Sequence, residues 1–330
     1  MKVWHGIGRV PTDIGATAVT IGNFDGVHRG HQAVLREVVA RAHERGLCAV
    51  AMTFDPHPAQ VHRPAQAPEQ ITGLADRLDL MAATGLDGVL VVAYTTDFAA
   101  QGPEQFVRRY LVEALHPRVV VVGSDVRFGA DNAGDGATMA ELGERYGFEV
   151  VLVEDVLAGA EHHPAALTHG VLEERRWSST WARDLLAAGR LEELTHVLGR
   201  WHAMRGAVVH GEARGRELGF PTANLDPASS GAVPADGVYA GWLRRDGGAG
   251  ERLPAAISVG TNPTFDGEVR QVEAHVIGRT DLDLYGEEVV VEFVTRLRPT
   301  LRYTGVEALV EQMHRDCADA LAALEVATVS

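Results

Sequence analysis

Lysine is almost missing from this chain. Of its 30 basic residues one is a lysine, Lys2, and the other 29 are arginine. Any catalytic step that needs a lysine in the body of the protein is thereby excluded. A Walker A loop ends in Gly-Lys-Ser/Thr and a protein-kinase site needs its strand lysine, so neither is present. Phosphate chemistry here has to rest on arginine, histidine, backbone N–H groups or a metal ion. Cysteine is sparse too: Cys48 and Cys317 form no Cys-x-x-Cys pair. Neither a disulfide framework nor a cysteine zinc site is expected, and both read as core residues. Long apolar runs are also missing. Runs such as 47–52 and 119–122 fall far short of the ~20 residues that cross a bilayer. The N-terminus lacks the basic start and apolar stretch of a secretion signal, so no membrane span is expected and a cytoplasmic location follows by default. Positive charge is short as well, with 45 acidic against 30 basic residues, a formal net charge of −15 and no basic run longer than two. Such a chain repels a phosphate backbone, and nucleic acid is not an expected partner.

What is present is the composition of a globular protein, 46% hydrophobic and 23% charged, over 330 residues. Single cores stop growing near ~250 to 300 residues, so about two domains are expected. Between 17 and 153, short β-branched runs at 18–21, 48–53, 88–93, 118–122 and 149–153 alternate with helical patterns near 32–44, 74–83, 103–115 and 138–146. Because those runs are continuously apolar, they predict a parallel sheet covered by helices on both faces. This is a doubly wound α/β fold, which places ligands at the carboxyl ends of its strands. A polar, histidine-containing stretch over 155–170, with two short helices near 178–188 and 191–198, reads as a connector. From about 204 the pattern changes to short strands at 206–210, 237–243, 255–259, 272–277 and 288–293, punctuated by Gly and Pro. That predicts an antiparallel sandwich or barrel. A final amphipathic helix carries Val306, Leu309, Val310, Met313, Cys317 and Leu321 at helical spacing, a stripe read as core.

The residues with chemistry to offer gather at strand ends. Gly22-Asn23-Phe24-Asp25-Gly26-Val27-His28-Arg29-Gly30-His31 sits where the first run gives way to the first helix. There, backbone N–H groups and the helix dipole favour phosphate. Gly22, Gly26 and Gly30 let the backbone turn and approach a ligand, while His28 and His31 share a face of the first helical turn and can donate to phosphoryl oxygens. Capping or packing at a helix start would use the same two histidines without chemistry. Thr53-Phe54-Asp55-Pro56-His57-Pro58 follows the second run and Gly123-Ser124-Asp125-Val126-Arg127-Phe128-Gly129 the fourth. Each offers an aromatic ring and polar groups at the sheet edge, or else an ordinary turn with Phe54 and Phe128 packed inside. In Trp177-Ser178-Ser179-Thr180-Trp181-Ala182-Arg183, Ser179 and Thr180 can cap a helix and donate to phosphate with Arg183 on the same face; a plain N-cap is the simpler reading. Further on, Gly215-Arg216-Glu217-Leu218-Gly219-Phe220-Pro221-Thr222-Ala223-Asn224-Leu225 reads from its residues alone as a turn in which Asn224 satisfies local backbone groups. Glu273 lies within a β run, as a surface glutamate or, if buried, as a carboxylate that needs a partner.

Taken in order, these segments resemble the bacterial bifunctional riboflavin kinase/FAD synthetases. His28-Arg29-Gly30-His31 is similar to the His-x-Gly-His element of the nucleotidyltransferase superfamily and, with its flanking residues, to the FMN adenylyltransferase module of that family. Class I aminoacyl-tRNA synthetases carry a related motif but need a lysine-containing loop. Pro221-Thr222-Ala223-Asn224 resembles the riboflavin kinase signature, and the match continues through 237–241, 258–265, Val272-Glu273-Ala274-His275 and Asp283-Leu284-Tyr285-Gly286. The resemblance implies a nucleotidyltransferase Rossmann-like domain over 1–186 and a riboflavin kinase β-barrel with a terminal helix over 187–330. The barrel would phosphorylate riboflavin to FMN with ATP, and the first domain would adenylylate FMN to FAD with release of pyrophosphate. Catalytic roles fall by this resemblance to Glu273, as the base at the ribityl 5′-hydroxyl, and to His28, His31 and Arg183. Nucleotide contacts fall to Gly22, Phe24, Gly30, Ser179, Thr180, Gly219 and Pro221, flavin contacts to Phe54, His57, Asp125 and Phe128, and Mg²⁺ to Thr222 and Asn224. Riboflavin, FMN and ATP are then the small-molecule partners, FAD a product, and the oligomeric state is left unspecified. Trp177 replaces a small aliphatic residue of the family pattern and Val126 replaces a Phe. On that account a monofunctional riboflavin kinase with an inactive N-terminal domain stays open, and beside it a different nucleotidyltransferase and a non-catalytic flavin-binding protein.

Overall fold

The structure, a computed structural model, describes residues 1–154, 175–211, 215, 218–264 and 267–329. The connector stretch over 155–170 lies outside the described residues, as do Arg216, Glu217 and Phe265. The chain separates into two compact units, one of Met1–Glu69 with Leu74–Ser178 and the other of Gln70–Gly73 with Ser179–Ser330.

The first unit is built on six parallel strands, β1 (Lys2–His5), β2 (Thr17–Ile21), β3 (Cys48–Asp55), β4 (Gly88–Ala93), β5 (Pro117–Gly123) and β6 (Glu149–Val153), in the order β1-β4-β3-β2-β5-β6. Val50, Met52, Val120 and Val122 are buried on one face, Ala49, Ala51, Val119 and Val121 on the other. Burial on both sides is why these strands read as continuous rather than alternating apolar sequence. Helix α1 (Arg29–Arg45) brings Leu35 and Val38, and α2 (Leu74–Ala82) brings Met81, to the alanine-rich face. Met139 and Leu142 of α3 (Gly136–Tyr146) cover the other, together with a helical stretch over 103–115 that contains a π-helical turn at Val107–Val112. The chain steps from β2 outward to β3 and β4, then returns to β5 and β6 on the opposite side. The crevice at that reversal lies beyond the carboxyl ends of β2 and β5, where sheets of this kind bind ligands. Strand β1 was not anticipated because it has four residues and only Trp4 is buried, too short for any periodicity to show.

The second unit is a closed antiparallel barrel, which decides between sandwich and barrel. Its strands β7 (His202–Val209), β8 (Ala223–Leu225), β9 (Gly237–Arg244), β10 (Arg252–Thr264), β11 (Gly267–Val276) and β12 (Glu288–Arg298) close in the order β10-β11-β8-β7-β12-β9. Tyr239, Leu243, Ile257, Val291 and Phe293 fill the interior with no exposed surface, each contributing roughly 1.5–3 kcal/mol of apolar burial. Strand β8, only three residues long, falls inside the segment read as a turn. Helices α4 (Ser179–Ala188) and α5 (Leu191–Leu198) precede the barrel, and α6 (Val306–Val329) ends the chain. Among the described residues no helix is long and apolar enough to cross a membrane.

Helix α6 corrects the expected core stripe. Val306 is 57% exposed and Leu321 40%, whereas Asp316, Ala320 and Leu324 are buried. The helix packs on apolar barrel wall only along its second half, where Ala320 and Leu324 meet Ala240 and Val294. Its first half instead borders a cavity, with Leu309, Met313 and Cys317 in the lining.

Burial of one histidine gives the barrel a pH dependence. His202, 1% exposed, meets the Ala232 carbonyl through Nε2 at 2.7 Å, stacks on Phe293 and has no partner for Nδ1 among the described residues. Burial outweighs that hydrogen bond and lowers its pKa from 6.5 to about 4. The folded barrel therefore holds this ring neutral while the unfolded chain protonates it. The resulting stability is complete above pH 6.5 and is lost as pH falls toward 4, about 3 kcal/mol in all. Denaturant unfolding of the barrel between those pH values should show this decline, and His202→Leu should flatten it; an unchanged slope in the variant would assign the dependence elsewhere.

Candidate active sites

The first site grows from the carboxyl end of β2. Gly22 extends the sheet pairing, its N–H donating to Met52 O at 3.0 Å. Phe24 (φ 50°), Gly26 (φ 78°) and Val27 (φ 39°) then turn through left-handed conformations, two of them at a cost of roughly 1–2 kcal/mol because they carry a Cβ. The surroundings hold this strained turn. Thr53 Oγ1 donates to Asn23 O at 3.2 Å, and Arg77 donates to Asn23 O at 3.1 Å and to Phe54 O at 3.0 Å. Phe24 is 2% exposed, and its ring meets His31 edge-on at 5.4 Å, so it forms a floor beneath that imidazole. His28 caps α1: its Nδ1 accepts from the His31 N–H at 3.3 Å, which leaves a neutral ring's proton on Nε2. The two imidazoles stack with centroids 3.6 Å apart. Burial holds His31 well below the ordinary histidine range, and the charges of His28, Arg176 and Arg77 push in the same direction. Near neutral pH His31 is thus a neutral imidazole, poised as an N–H donor. A Cβ on Gly30 would lie 3.2 Å from the His28 ring and 3.3 Å from Trp177 Cβ. Glycine at that position lets Trp177, the departure from the family pattern, seat against the histidine turn.

The expected flavin residues line the neighbouring strand ends. Phe54 joins an aromatic cluster with Tyr94 at 5.7 Å and Phe98 at 5.6 Å, which runs on through Phe106 to Phe128. Phe128 is 6% exposed, and Val126 packs partly buried against the same core. His57 caps the short helix Pro58–His62, its Nδ1 accepting from the Ala59 N–H at 3.1 Å. Asp125 is exposed and ion-paired with Arg176, a residue the motif reading passed over. Ser179, Thr180 and Arg183 open α4, which belongs to the second unit.

In the barrel, antiparallel register sets Glu273 of β11 opposite Asn224 of β8 on one side and Ser258 of β10 on the other. Three residues of the expected kinase site thereby come together: Thr222 Oγ1 donates to Glu273 Oε2 at 3.4 Å, and Asn224 Nδ2 donates to Thr222 Oγ1 at 3.3 Å. His275, two residues along the same strand face, has Nδ1 2.8 Å from Pro221 O. A carbonyl can only accept, so Nδ1 carries the proton and the ring pins the turn. Gly219 takes φ 87° just before Phe220, whose ring meets His275 and His314. Thr222 and Glu273 face a cavity of about 310 Å³ whose opposite wall is the first half of α6. Arg298 at the end of β12 fastens that wall, donating to Asp316 at 2.8 and 2.6 Å, and Gln312 adds a bond to the same carboxylate at 2.9 Å.

A doubly wound sheet with a histidine pair at its switch point, and a barrel with a carboxylate beside hydroxyl and amide groups, together define a nucleotide-dependent transferase with two centres. Comparison with known proteins agrees. The FAD synthetase family matches residues 11–164 and the riboflavin kinase family residues 198–324. Bifunctional riboflavin kinase/FMN adenylyltransferase of Escherichia coli K12 is 35% identical over 94% of this chain and 93% of its own. That of Listeria monocytogenes is 35% identical over 92% and 91%. A crystal structure named as that of a macrolide-efflux protein from Streptococcus pneumoniae superposes with a TM-score of 0.80 at 29% identity, covering 95% of this chain and 96% of that one. The chain belongs to the bifunctional riboflavin kinase/FMN adenylyltransferases. It uses ATP to convert riboflavin to FMN in the barrel and FMN to FAD in the parallel-sheet unit.

Motif reading passed over three positions that shape these sites. Arg77 is a lone arginine in a helical pattern and Arg176 is the second of the pair Arg175-Arg176 just before Trp177; neither local sequence shows what the guanidinium contacts. Gly211 precedes the kinase signature, and a Cβ there would lie 2.5 Å from Asn224 Oδ1. Gly211→Ala should therefore displace the Asn224 amide and slow riboflavin phosphorylation about 10- to 100-fold, the usual cost of an ångström of misplacement. FAD formation from supplied FMN should be unchanged. Steady-state assays of both reactions check this, and a normal kinase rate would show that the amide need not stay where it is.

Proposed function

We propose that Glu273 is the base of the kinase reaction and that Thr222 and Asn224 hold the magnesium ion of its nucleotide. The observation that carries this reading is the Thr222–Glu273 hydrogen bond, which joins positions 51 apart in sequence at the edge of one cavity. Among the described residues no cluster of three His, Cys, Asp or Glu side chains is placed to hold a metal. The donors that are present fit Mg²⁺ nonetheless, since this ion takes hard oxygens from one or two protein groups and fills its shell with phosphate oxygens and water. Asn224 faces Thr222 with its amide nitrogen, so holding the ion requires that amide to present Oδ1. When bound, the ion neutralises charge on the nucleotide phosphates. The flavin ring would occupy the apolar cavity against α6, with its ribityl chain toward Glu273. Glu273 accepts the 5′-hydroxyl proton as that oxygen attacks the γ-phosphorus of ATP, giving FMN and ADP. Gly219 and Pro221 shape the turn that borders the nucleotide.

In the adenylyl step the FMN phosphate, already an anion, attacks the α-phosphorus of ATP and pyrophosphate leaves. No covalent enzyme intermediate is required. His28 through Nε2–H, and His31 beside it, donate to phosphoryl oxygens as charge builds in the transition state. Gly22, Phe24 and Gly30 shape that turn. Phe54 presents the aromatic edge for the flavin and the buried Phe128 backs it through the same aromatic cluster, with His57 and Asp125 at its border. Assignment of Ser179, Thr180 and Arg183 to nucleotide phosphate rests on the motif alone. The domain limits 1–186 and 187–330, and a cytoplasmic location where ATP is made available, belong to the same reading.

Glu273→Gln should lower riboflavin phosphorylation ~10²- to 10⁴-fold, the usual worth of a general base, while FAD formation from FMN continues. Equal loss of both rates would contradict separate sites. His31→Ala should slow FAD synthesis ~10²- to 10³-fold and spare the kinase; an unaltered FAD rate would remove the histidines from the chemistry.

A further inference from the structure

Arg77 has no place in the chemistry described so far, yet it has no exposed surface at all. It rises from α2, and its two terminal nitrogens diverge to different carbonyls, one to Asn23 O at 3.1 Å and the other to Phe54 O at 3.0 Å. Asn23 begins the strained turn that carries the histidine pair, and Phe54 lies one residue before the end of β3 and carries the aromatic flavin edge. Nε has no hydrogen-bond partner among the described residues. Burial disfavours the charge, and Asp25 and Asp55 offset only part of that penalty. Such a side chain is poor economy for packing alone, because an apolar residue of similar volume generally stabilises a fold as well or better. Its fork does what an apolar residue cannot: it ties two strand-end loops to each other.

We infer that Arg77 is a positioning residue for adenylyl transfer, fixing the histidine turn after β2 against the end of β3 so that nucleotide and flavin are held in one register. It acts through the two loops and touches neither substrate. A lysine cannot replace it, since one ammonium on a flexible stem does not present two N–H groups to carbonyls held apart as the planar guanidinium does. Arg77 also supplies one of the charges that keep His31 below its ordinary range, with His28 from the same helical turn and Arg176 from the segment after β6 supplying the others.

The test separates the fork from the charge and rests on the histidine reading above. Arg77→Lys keeps the charge and loses the fork, while Arg77→Gln loses both. Each variant is assayed for FAD formation with ATP and FMN varied in turn, for riboflavin phosphorylation in the same preparation, and for the NMR titration of the His31 ring without substrates. Arg77→Lys should lower kcat/KM for FAD synthesis about 10- to 100-fold, raise KM for ATP and FMN together, spare the kinase and leave the His31 titration in place. Arg77→Gln should lose at least as much and move the His31 titration to higher pH. Wild-type FAD kinetics in Arg77→Lys, a change confined to one substrate, or an unmoved His31 titration in Arg77→Gln would each overturn the inference. So would loss of cooperative unfolding of the first unit in both variants, which would make Arg77 a folding residue only. If His31→Ala keeps full FAD synthesis, the histidine reading itself fails; if His31→Ala is inactive and Arg77→Lys is not, only the role of Arg77 fails.

Discussion

Both reactions gather negative charge on phosphoryl oxygens, and they do so in a chain of net charge −15 with a single lysine. The rest of the structure depends on resolving that conflict locally. A lysine would supply a strongly hydrated point charge on a flexible stem, whereas arginine, imidazole and backbone N–H groups supply directional donors that must be held in place. Directionality shifts the burden to the scaffold. In the proposed reading it is met in the first unit by a stacked histidine pair at a helix start and in the second by the Thr222 hydroxyl just before a short strand and the Asn224 amide on it, beside a carboxylate.

The scaffold meets that demand differently in its two halves. In the parallel sheet, the reversal of strand order between β2 and β5 leaves a crevice at the carboxyl edge, and the loops that flank it are free to be strained because the strands beneath are packed on both faces. Phe24 and Val27 hold left-handed conformations there, and a histidine ring lies on the buried Phe24. In the barrel, register performs the same service. Glu273 stands opposite Asn224 because β11 pairs with β8, and a slip of one residue would turn the carboxylate to the opposite side of the barrel wall. The cavity beside it depends on α6 standing off the barrel at its first half, where the Arg298–Asp316 pair anchors it.

Much of this was legible in the sequence, and the rest was not for identifiable reasons. Continuous apolar runs gave five of the parallel strands, because double-sided burial leaves that mark. Strand β1 left none, since Trp4 is its single buried residue. Strand β8 was hidden because Pro-Thr-Ala-Asn is composed like a turn, and only its pairing with β7 on one side and with β11, some fifty positions later, on the other makes it a strand. The histidine pair, Thr222, Asn224 and Glu273 were visible through motif resemblance, as was the division of labour between the halves. Composition alone would have left Glu273 on a surface. The helical stripe on α6 was visible as a pattern but misread as core, because periodicity reports an apolar face and not whether the facing element is in contact. Arg77 and Arg176 could not be seen, since a buried or bridging arginine is defined by partners distant in sequence.

Mixing two crippled proteins tests the existence of two separate charge-steadying pockets most directly. Purified Glu273→Gln and His31→Ala variants are given riboflavin, ATP and Mg²⁺, first singly and then together, and the flavins are separated by chromatography. Over the time in which the wild type consumes its riboflavin, the account predicts that the first leaves nearly all of it unphosphorylated, that the second accumulates FMN, and that the mixture makes FAD. A mixture that accumulates FMN without FAD, or either variant alone carrying riboflavin to FAD at the wild-type rate, would contradict it.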